Sequence, residues 1–463
     1  MRRMRRILPA LAAASLVLLL PSAAGAAVFG VEANNDLSNS NRTTEQRTQT
    51  LDRMKAQGVQ IIRVNFGWNE IAANCGGISA SELANNEHPC YDWRVFDEVA
   101  DLARDRNIQM LVSISRAPAW LHGTSNAAYV GTTGPQWSKT VVHYEAVMQA
   151  AATRYKRGSA RGSVRMWTVW NEPNSPTYFA PQHTAILKRA MPRRYAQMVA
   201  RTAVAIKKVD PNAYVAAGPT GPTGGSAGIR PLTFVAQVQA ALPIFLPGTG
   251  AYERRFIQGW AHNPYPGVST APSKGTIRSP SVGMANIRDL FRQLDRHPVT
   301  RRLPVWATEF GYQTNPPDRV LGINPSLQGR FMAESFDWLE STRRVPVLIW
   351  YGFRDPDQPG DWQSGTWYND GRAKVSRLWA MRPVSVPVDR VRRGSAVRVW
   401  ARSMVNPRAT RIAFSTDGRR WRLLPTTGRR ADGTTIQLLR VTRTSWFATW
   451  DGSRGPARVV RVG

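Results

Sequence analysis

Cysteine is nearly absent from this chain: among 463 residues only Cys75 and Cys90 occur. The six histidines are scattered, and none stands at ligand spacing from a cysteine or carboxylate. A metal centre is therefore not expected, and nothing calls for an organic cofactor. Long apolar runs are lacking too. The one near the N-terminus, ILPALAAASLVLLL, is short for a bilayer span, so stable membrane insertion is not expected. Low-complexity tracts and short internal repeats are missing. Acidic residues are few, 31 against 62 basic ones, and only eight of the basic residues are lysine. No nucleic-acid recognition motif accompanies the resulting charge of +31, so a specific nucleic-acid partner is not expected.

The composition is that of a globular protein, 42% hydrophobic and 20% charged, with 17 tryptophans that suit an aromatic cleft. Its start, MRRMRR, the short apolar run and the Ala24-Gly25-Ala26 site, reads as a secretory signal over residues 1–26. Secretion in turn favours a disulfide between Cys75 and Cys90, closing a local loop with a model entropic stabilisation of about 3 kcal/mol. Much of the positive charge falls in residues 383–463, where 17 arginines face four acids. That excess suits an acidic polysaccharide or cell-wall polymer, although a general arginine bias and a solvated basic surface explain many of the same residues.

From residue 27 onward apolar runs alternate with amphipathic stretches. The runs are AVFGVEA, VQIIRVNFGW, IQMLVSISRAP, VRMWTVWNEPN, AYVAAGP, FIQGWAHNPYP, PVWATEFGY and VPVLIWYGF. Between them lie helix-length segments such as DWRVFDEVADLARDRN and RRYAQMVARTAVAIKKVDP. Eight such alternations predict an α/β protein, a (β/α)8 TIM barrel over residues 27–382. Beyond residue 383 short alternating strands with Asp-Gly turns predict a small C-terminal β-sandwich, residues 383–463.

The strand ends carry the chemistry. Each run begins apolar and ends polar, and in a barrel those C-terminal ends share one face. Glu172 ends the fourth run, with Pro173 forbidding its continuation, and Glu309 ends the seventh. Two carboxylates facing each other across one bowl are what glycosidic cleavage needs: one protonates the departing oxygen, the other attacks the anomeric carbon or activates water. Paired acids also occur in structural ion-pair networks, so their placement at matching strand ends is what gives the pair meaning.

Trp170-Asn171-Glu172-Pro173 followed by Thr308-Glu309-Phe310-Gly311 resembles the clan A glycoside hydrolases, which include families 5, 10 and 39. The resemblance spans the barrel and excludes the C-terminal module. The opening segment, VEANNDLSNS then LDRMKAQGVQIIRVNFGW, leans toward family 39-like and family 5-like enzymes. What it implies is a retaining double displacement, with Glu172 as acid/base and Glu309 as nucleophile. Arg63 stands in the place of the clan arginine beside the nucleophile, where its charge would keep Glu309 ionised; a structural ion pair is its other reading. Asn171 resembles the asparagine that binds the sugar 2-hydroxyl, or else it caps the strand end. His262 and Tyr265 match the strand-six pair, with Asn263-Pro264 between them leaving the register of the tyrosine open. Trp350 resembles the strand-eight floor under the reacting sugar. Trp68 and Trp120 extend that floor or fill the core.

These features predict a secreted, monomeric O-glycosyl hydrolase acting on a β-linked poly- or oligosaccharide, with an acidic polymer among the candidates. The alternative is a non-catalytic carbohydrate- or cell-wall-binding protein on a glycosidase-like barrel.

Overall fold

The computed structural model of the chain describes residues 27–182, 190–248, 255–267, 270–358 and 360–463. The expected signal segment, residues 1–26, lies outside them. Eight parallel strands close into a barrel in sequence order: β1 Val28–Glu32, β2 Ile61–Gly67, β3 Gln109–Ser115, β4 Met166–Val169, β5 Tyr214–Thr220, β6 Gly259–His262, β7 Val305–Phe310 and β8 Val347–Tyr351. The ring shuts where Val28 to Glu32 of β1 pair in register with Val347 to Tyr351 of β8.

A helix of six residues or more follows each strand: α1 Thr44–Ala56, α2 Arg94–Asp105, α3 Gly134–Arg154, α4 Ala190–Val209, α5 Pro231–Phe245, α6 Ile287–Asp295, α7 Pro325–Ser341 and α8 Ser376–Met381. Local chemistry starts several of them. Thr43 and Gln46 form a capping box at α1, and Thr133 and Gln136 form one at α3. Each such cap contributes about 0.5–2 kcal/mol by satisfying amides that the first turn leaves unpaired. The buried faces of the helices join the outer faces of the strands in one large core.

Inside the barrel the filling is separate and tight. Ile61, Leu111, Met166, Ala216, Ala261, Trp306, Val347 and Ile349 form their own cluster. Trp306 fits there because β6 opens with glycine: a Cβ on Gly259 would lie 2.8 Å from the indole. The bottom of the barrel is thus plugged, and polar groups collect only above it, at the C-terminal strand ends.

The chain then builds two small sheets. β10 (Arg390–Val391), β12 (Arg411–Ser415), β13 (Arg422–Leu423), β15 (Ser445–Trp450) and β16 (Arg454–Val462) form a five-stranded sheet in the order β10-β16-β15-β12-β13. β9 (Val384–Ser385), β11 (Ser395–Ala401) and β14 (Thr435–Val441) form a three-stranded one. Val397, Val399, Ile412, Phe447 and Val460 pack between them, and Ala333 of α7 and Trp379 of α8 belong to the same cluster. Charge reinforces this seam. Arg398 pairs with Asp337 at 2.6 Å and Arg430 with Glu340 at 2.7 Å, both acids lying on α7. Arg402 donates to the carbonyl of Ala27, just before β1, at 2.8 Å. The module therefore grips the flank and the N-terminal side of the barrel, away from the polar face.

Cys75 and Cys90 are joined as a disulfide with Cα atoms 5.0 Å apart, pinning the connection between β2 and α2. Among the described residues no helix is long and apolar enough to cross a membrane.

Candidate active site

Arg63, in β2, organises the polar face. Its side chain is fully buried, one guanidinium nitrogen bonded to Glu309 and the other donating to Asn171 Oδ1 at 2.9 Å. A buried guanidinium is tolerable only with such partners, and its planar fork suits two acceptors at once. Tyr265 donates its hydroxyl to the second oxygen of Glu309 at 3.3 Å. Asn171 keeps its Nδ2 without a protein partner among the described residues, available to a ligand hydroxyl.

Glu172 sits on a bent stretch of backbone. β4 ends at Val169, one residue earlier than the apolar run suggests, and Trp170 and Glu172 both adopt positive φ, 68° and 39°. Such conformations cost about 1–3 kcal/mol each in non-glycine residues and persist only where the surroundings impose them. Here the Trp170 amide donates to the Tyr144 hydroxyl at 3.1 Å, and the indole donates to the Tyr178 carbonyl at 2.6 Å. The bend points Glu172 into the bowl. Asn263 then donates Nδ2 to Glu172 Oε1 at 2.7 Å, while its own Oδ1 accepts from the Thr308 hydroxyl at 2.8 Å. Asn263 thus links the fourth strand end to the seventh, and Thr308 directly precedes Glu309. Behind Glu172 the chain comes close: a Cβ on Gly221 would stand 2.6 Å from Oε2.

The environments of the two acids differ. Burial, and then the negative charge of Glu309, push the Glu172 carboxyl up to about 7, against the opposing effects of Asn263 and Arg63. Glu309 is the one in direct ion pair with Arg63. A third carboxyl, Glu32 at the end of β1, lies beside Arg63 and Tyr351 in the strand register. Only 3% exposed, it accepts the Asn34 amide at 3.1 Å. Burial and the Glu309 charge raise it to about 8, so it is mostly uncharged at neutral pH.

Several sequence expectations change here. His262 does not reach the acids. It is fully buried, with its two ring nitrogens engaged by Thr220 at 2.8 Å and by the Val282 carbonyl at 3.1 Å. Burial pulls its imidazole down to about 4, so it is neutral, donating Nε2–H to the carbonyl and accepting from the threonine. It braces the end of β6, and the next residue, Asn263, makes the contact to Glu172. Trp350 is likewise not a floor for a sugar. Fully buried, it donates to the Ser364 carbonyl at 2.8 Å and packs 5.5 Å from Phe310, which in turn contacts Phe336 of α7. The reason is strand alternation: Trp350 faces the helices, and Tyr351 turns inward. Tyr351 lies 6.3 Å from the Tyr265 ring, and Trp362 lies 5.3 Å from it on the far side of a loop. Those three rings supply the aromatic wall near Glu309.

Trp68 and Trp120 do not extend it. Trp68 is fully buried against Tyr144 and Trp120, and Trp120 donates to the Ala72 carbonyl at 2.7 Å with its ring near Lys139 of α3. Both fill space between strand ends and helices. Tyr178, 42% exposed, stands at the rim within the field of both glutamates. Among the described residues no group of three metal-ligating side chains converges.

The chain superposes on a glucosidase from Croceicoccus marinus with a TM-score of 0.56 and 12% identity, covering 92% of this chain and 94% of that one. A calcium-binding mutant of Bacteroides uniformis β-glucuronidase 2 matches with a TM-score of 0.50 and 11% identity. That match covers 95% of this chain but 46% of the other, so the chain spans less than half the length of the glucuronidase. At such identities the likeness is one of fold. No curated protein sequence matches. The sequence model of the cellulase family covers residues 22–320, from before β1 through β7 and both glutamates, and the chain belongs to that family, glycosyl hydrolase family 5.

Proposed function

We propose that the protein is a secreted retaining glycosidase that cleaves a β-linked poly- or oligosaccharide, with Glu309 as nucleophile and Glu172 as acid/base. The observation that carries this reading is the unequal pair: a carboxyl raised to about 7 facing a carboxylate held in an ion pair by a buried arginine. One is equipped to hold a proton, the other to donate an electron pair.

In the first step Glu309 attacks the anomeric carbon while Glu172 protonates the departing glycosidic oxygen, leaving a glycosyl ester on Glu309. The charge of Glu309 is then gone. Since that charge is one of the two causes raising Glu172, its carboxyl becomes a stronger acid at the moment it must remain ionised. In the second step Glu172 takes a proton from water, whose oxygen attacks the same carbon and releases Glu309. Arg63 and Tyr265 receive the nucleophile back into its ion pair and hydrogen bond. Asn171 offers its free amide to the sugar 2-hydroxyl, a contact that strengthens in the transition state.

The test is product analysis by mass spectrometry on neutral and acidic β-linked polysaccharides, with wild type and Glu309→Gln side by side. Discrete oligosaccharides or monosaccharides from wild type alone support the proposal. Equal retention of polymer by both proteins, with no cleavage of any substrate, would favour the binding-protein alternative.

A further inference from the structure

The arginines of the C-terminal module divide into two sets. Those that face the barrel are spoken for: Arg398 and Arg430 pair with acids of α7, Arg402 binds a backbone carbonyl, and Arg458 pairs with Asp389 at 2.7 Å. A second set lines a groove of about 460 Å³ at the open end of the module, where the turn from β12 to β13 meets the turn from β14 to β15. Arg420 and Arg422 flank Trp421 on the first turn; Arg440 and Arg443 bracket the second. All four are exposed, and none has a carboxylate partner among the described residues. Asp417, on the first of these turns, feels the charge of Arg420. Its carboxylate already accepts the Arg419 and Arg420 amides at 2.8 Å each and the Ser415 hydroxyl. Four guanidinium groups against one committed carboxylate leave the groove strongly positive.

We propose that this groove is a binding site for an acidic polysaccharide bearing carboxylates, separate from the bowl of the barrel. Charge complementarity and fork geometry both favour carboxylate ligands, since a guanidinium binds a carboxylate through two parallel hydrogen bonds. The aromatic residues offer single-stranded nucleic acid a reduced stacking platform. Arg454 lies over the Trp421 ring at 4.5 Å and Arg422 over Phe414 at 5.1 Å, so each ring already has a cation against one face. Stacking of bases needs such faces open. A chain of uronate residues needs only the repeated charge. The site lies on a module gripping the barrel flank, so it would tether the protein to an acidic matrix while the barrel works on a glycan strand.

The test uses the full chain and affinity electrophoresis through gels containing polygalacturonate, a neutral β-glucan, or neither, at low and at physiological salt. A fluorescent single-stranded oligonucleotide serves as the competing polyanion. Wild type is compared with Arg420→Gln/Arg440→Gln/Arg443→Gln and with a control of equal charge change outside the groove, Arg390→Gln/Arg392→Gln/Arg393→Gln. Circular dichroism verifies folding, and Arg443→Gln alone serves if the triple variant does not fold. The proposal expects retardation by polygalacturonate but not by glucan, weakened on the order of tenfold in the groove variant and little in the control. Turnover of a small soluble glycoside stays unchanged in both. Equal weakening in groove and control variants, tighter binding of the oligonucleotide than of polygalacturonate, or no retardation of wild type would each overturn it. Because barrel turnover is read separately, failure of the groove and failure of the glycosidase assignment are distinguishable.

Discussion

Asn263→Ala offers a sharp probe of the acid/base assignment, because it perturbs the carboxyl without touching its charge partners. The Asn263 amide is fixed, its oxygen held by Thr308 at 2.8 Å and its nitrogen donating to Glu172 at 2.7 Å. That donation favours the ionised carboxyl, so losing it should raise a pKa already near 7. A hydrogen bond to a charged group contributes about 1.5–3 kcal/mol, and the protonated carboxyl loses part of the same bond. The differential is then about 1.4 kcal/mol, equivalent to roughly one pH unit. The assay is kcat/KM against pH on an unactivated β-linked oligosaccharide, where protonation of the leaving group matters most. The alkaline limb should move up by about one unit while the plateau falls. An aryl glycoside with a good leaving group should show a smaller loss. An alkaline limb that stays in place or moves down would refute the link between Asn263 and the proton-bearing group.

The two aromatic residues at the end of β8 should separate packing from binding. Trp350→Ala should cost about 3–5 kcal/mol of stability through the cavity it leaves, whereas Tyr351→Ala should raise KM with a small change in melting temperature; unchanged kinetics in Tyr351→Ala would remove it from the sugar-binding wall. For Glu32 the sign follows from a folded value of about 8 against an ordinary 4.5. The folded state binds this proton more tightly, so its stabilising effect is complete below about 4.5 and is lost as pH rises toward 8. Glu32→Gln should therefore flatten the fall of melting temperature across that window, and an unchanged slope would contradict the burial argument. Truncation after residue 382 should strip Asp337 and Glu340 of Arg398 and Arg430 and expose Ala333 and Trp379. Loss of the folded barrel is expected, and a truncated barrel with undiminished melting temperature would show the module to be detachable.

Much of this architecture was legible in the sequence because a barrel repeats one rule eight times. Apolar runs of strand length ending in polar residues, spaced by amphipathic helices, leave few other folds, and Arg63, Glu172, Glu309 and Tyr265 converge as their strand ends imply. What sequence could not fix was the side of each strand end. Trp350 and Tyr351 are adjacent aromatics, and either could have faced the bowl; on β7 a register shift between Ala307 and Phe310, not simple alternation, leaves Glu309 inward and Phe310 outward. His262 and Asn263 present the same ambiguity. The histidine attracted the functional reading, yet strand geometry assigned it to the wall and gave the contact with Glu172 to its neighbour. Glu32 gave no motif signal: its burial comes from neighbours on two other strands. Trp362 comes from a loop after β8, where periodicity carries no information.

The most direct test of the central claim is the anomeric configuration of the first product, followed by proton NMR during early turnover of a β-linked substrate. Double displacement through Glu309 predicts that the β-anomer forms first and the α-anomer grows in afterwards by mutarotation. Initial release of the α-anomer would mean a single displacement by water, and Glu309 would then be a base rather than a nucleophile.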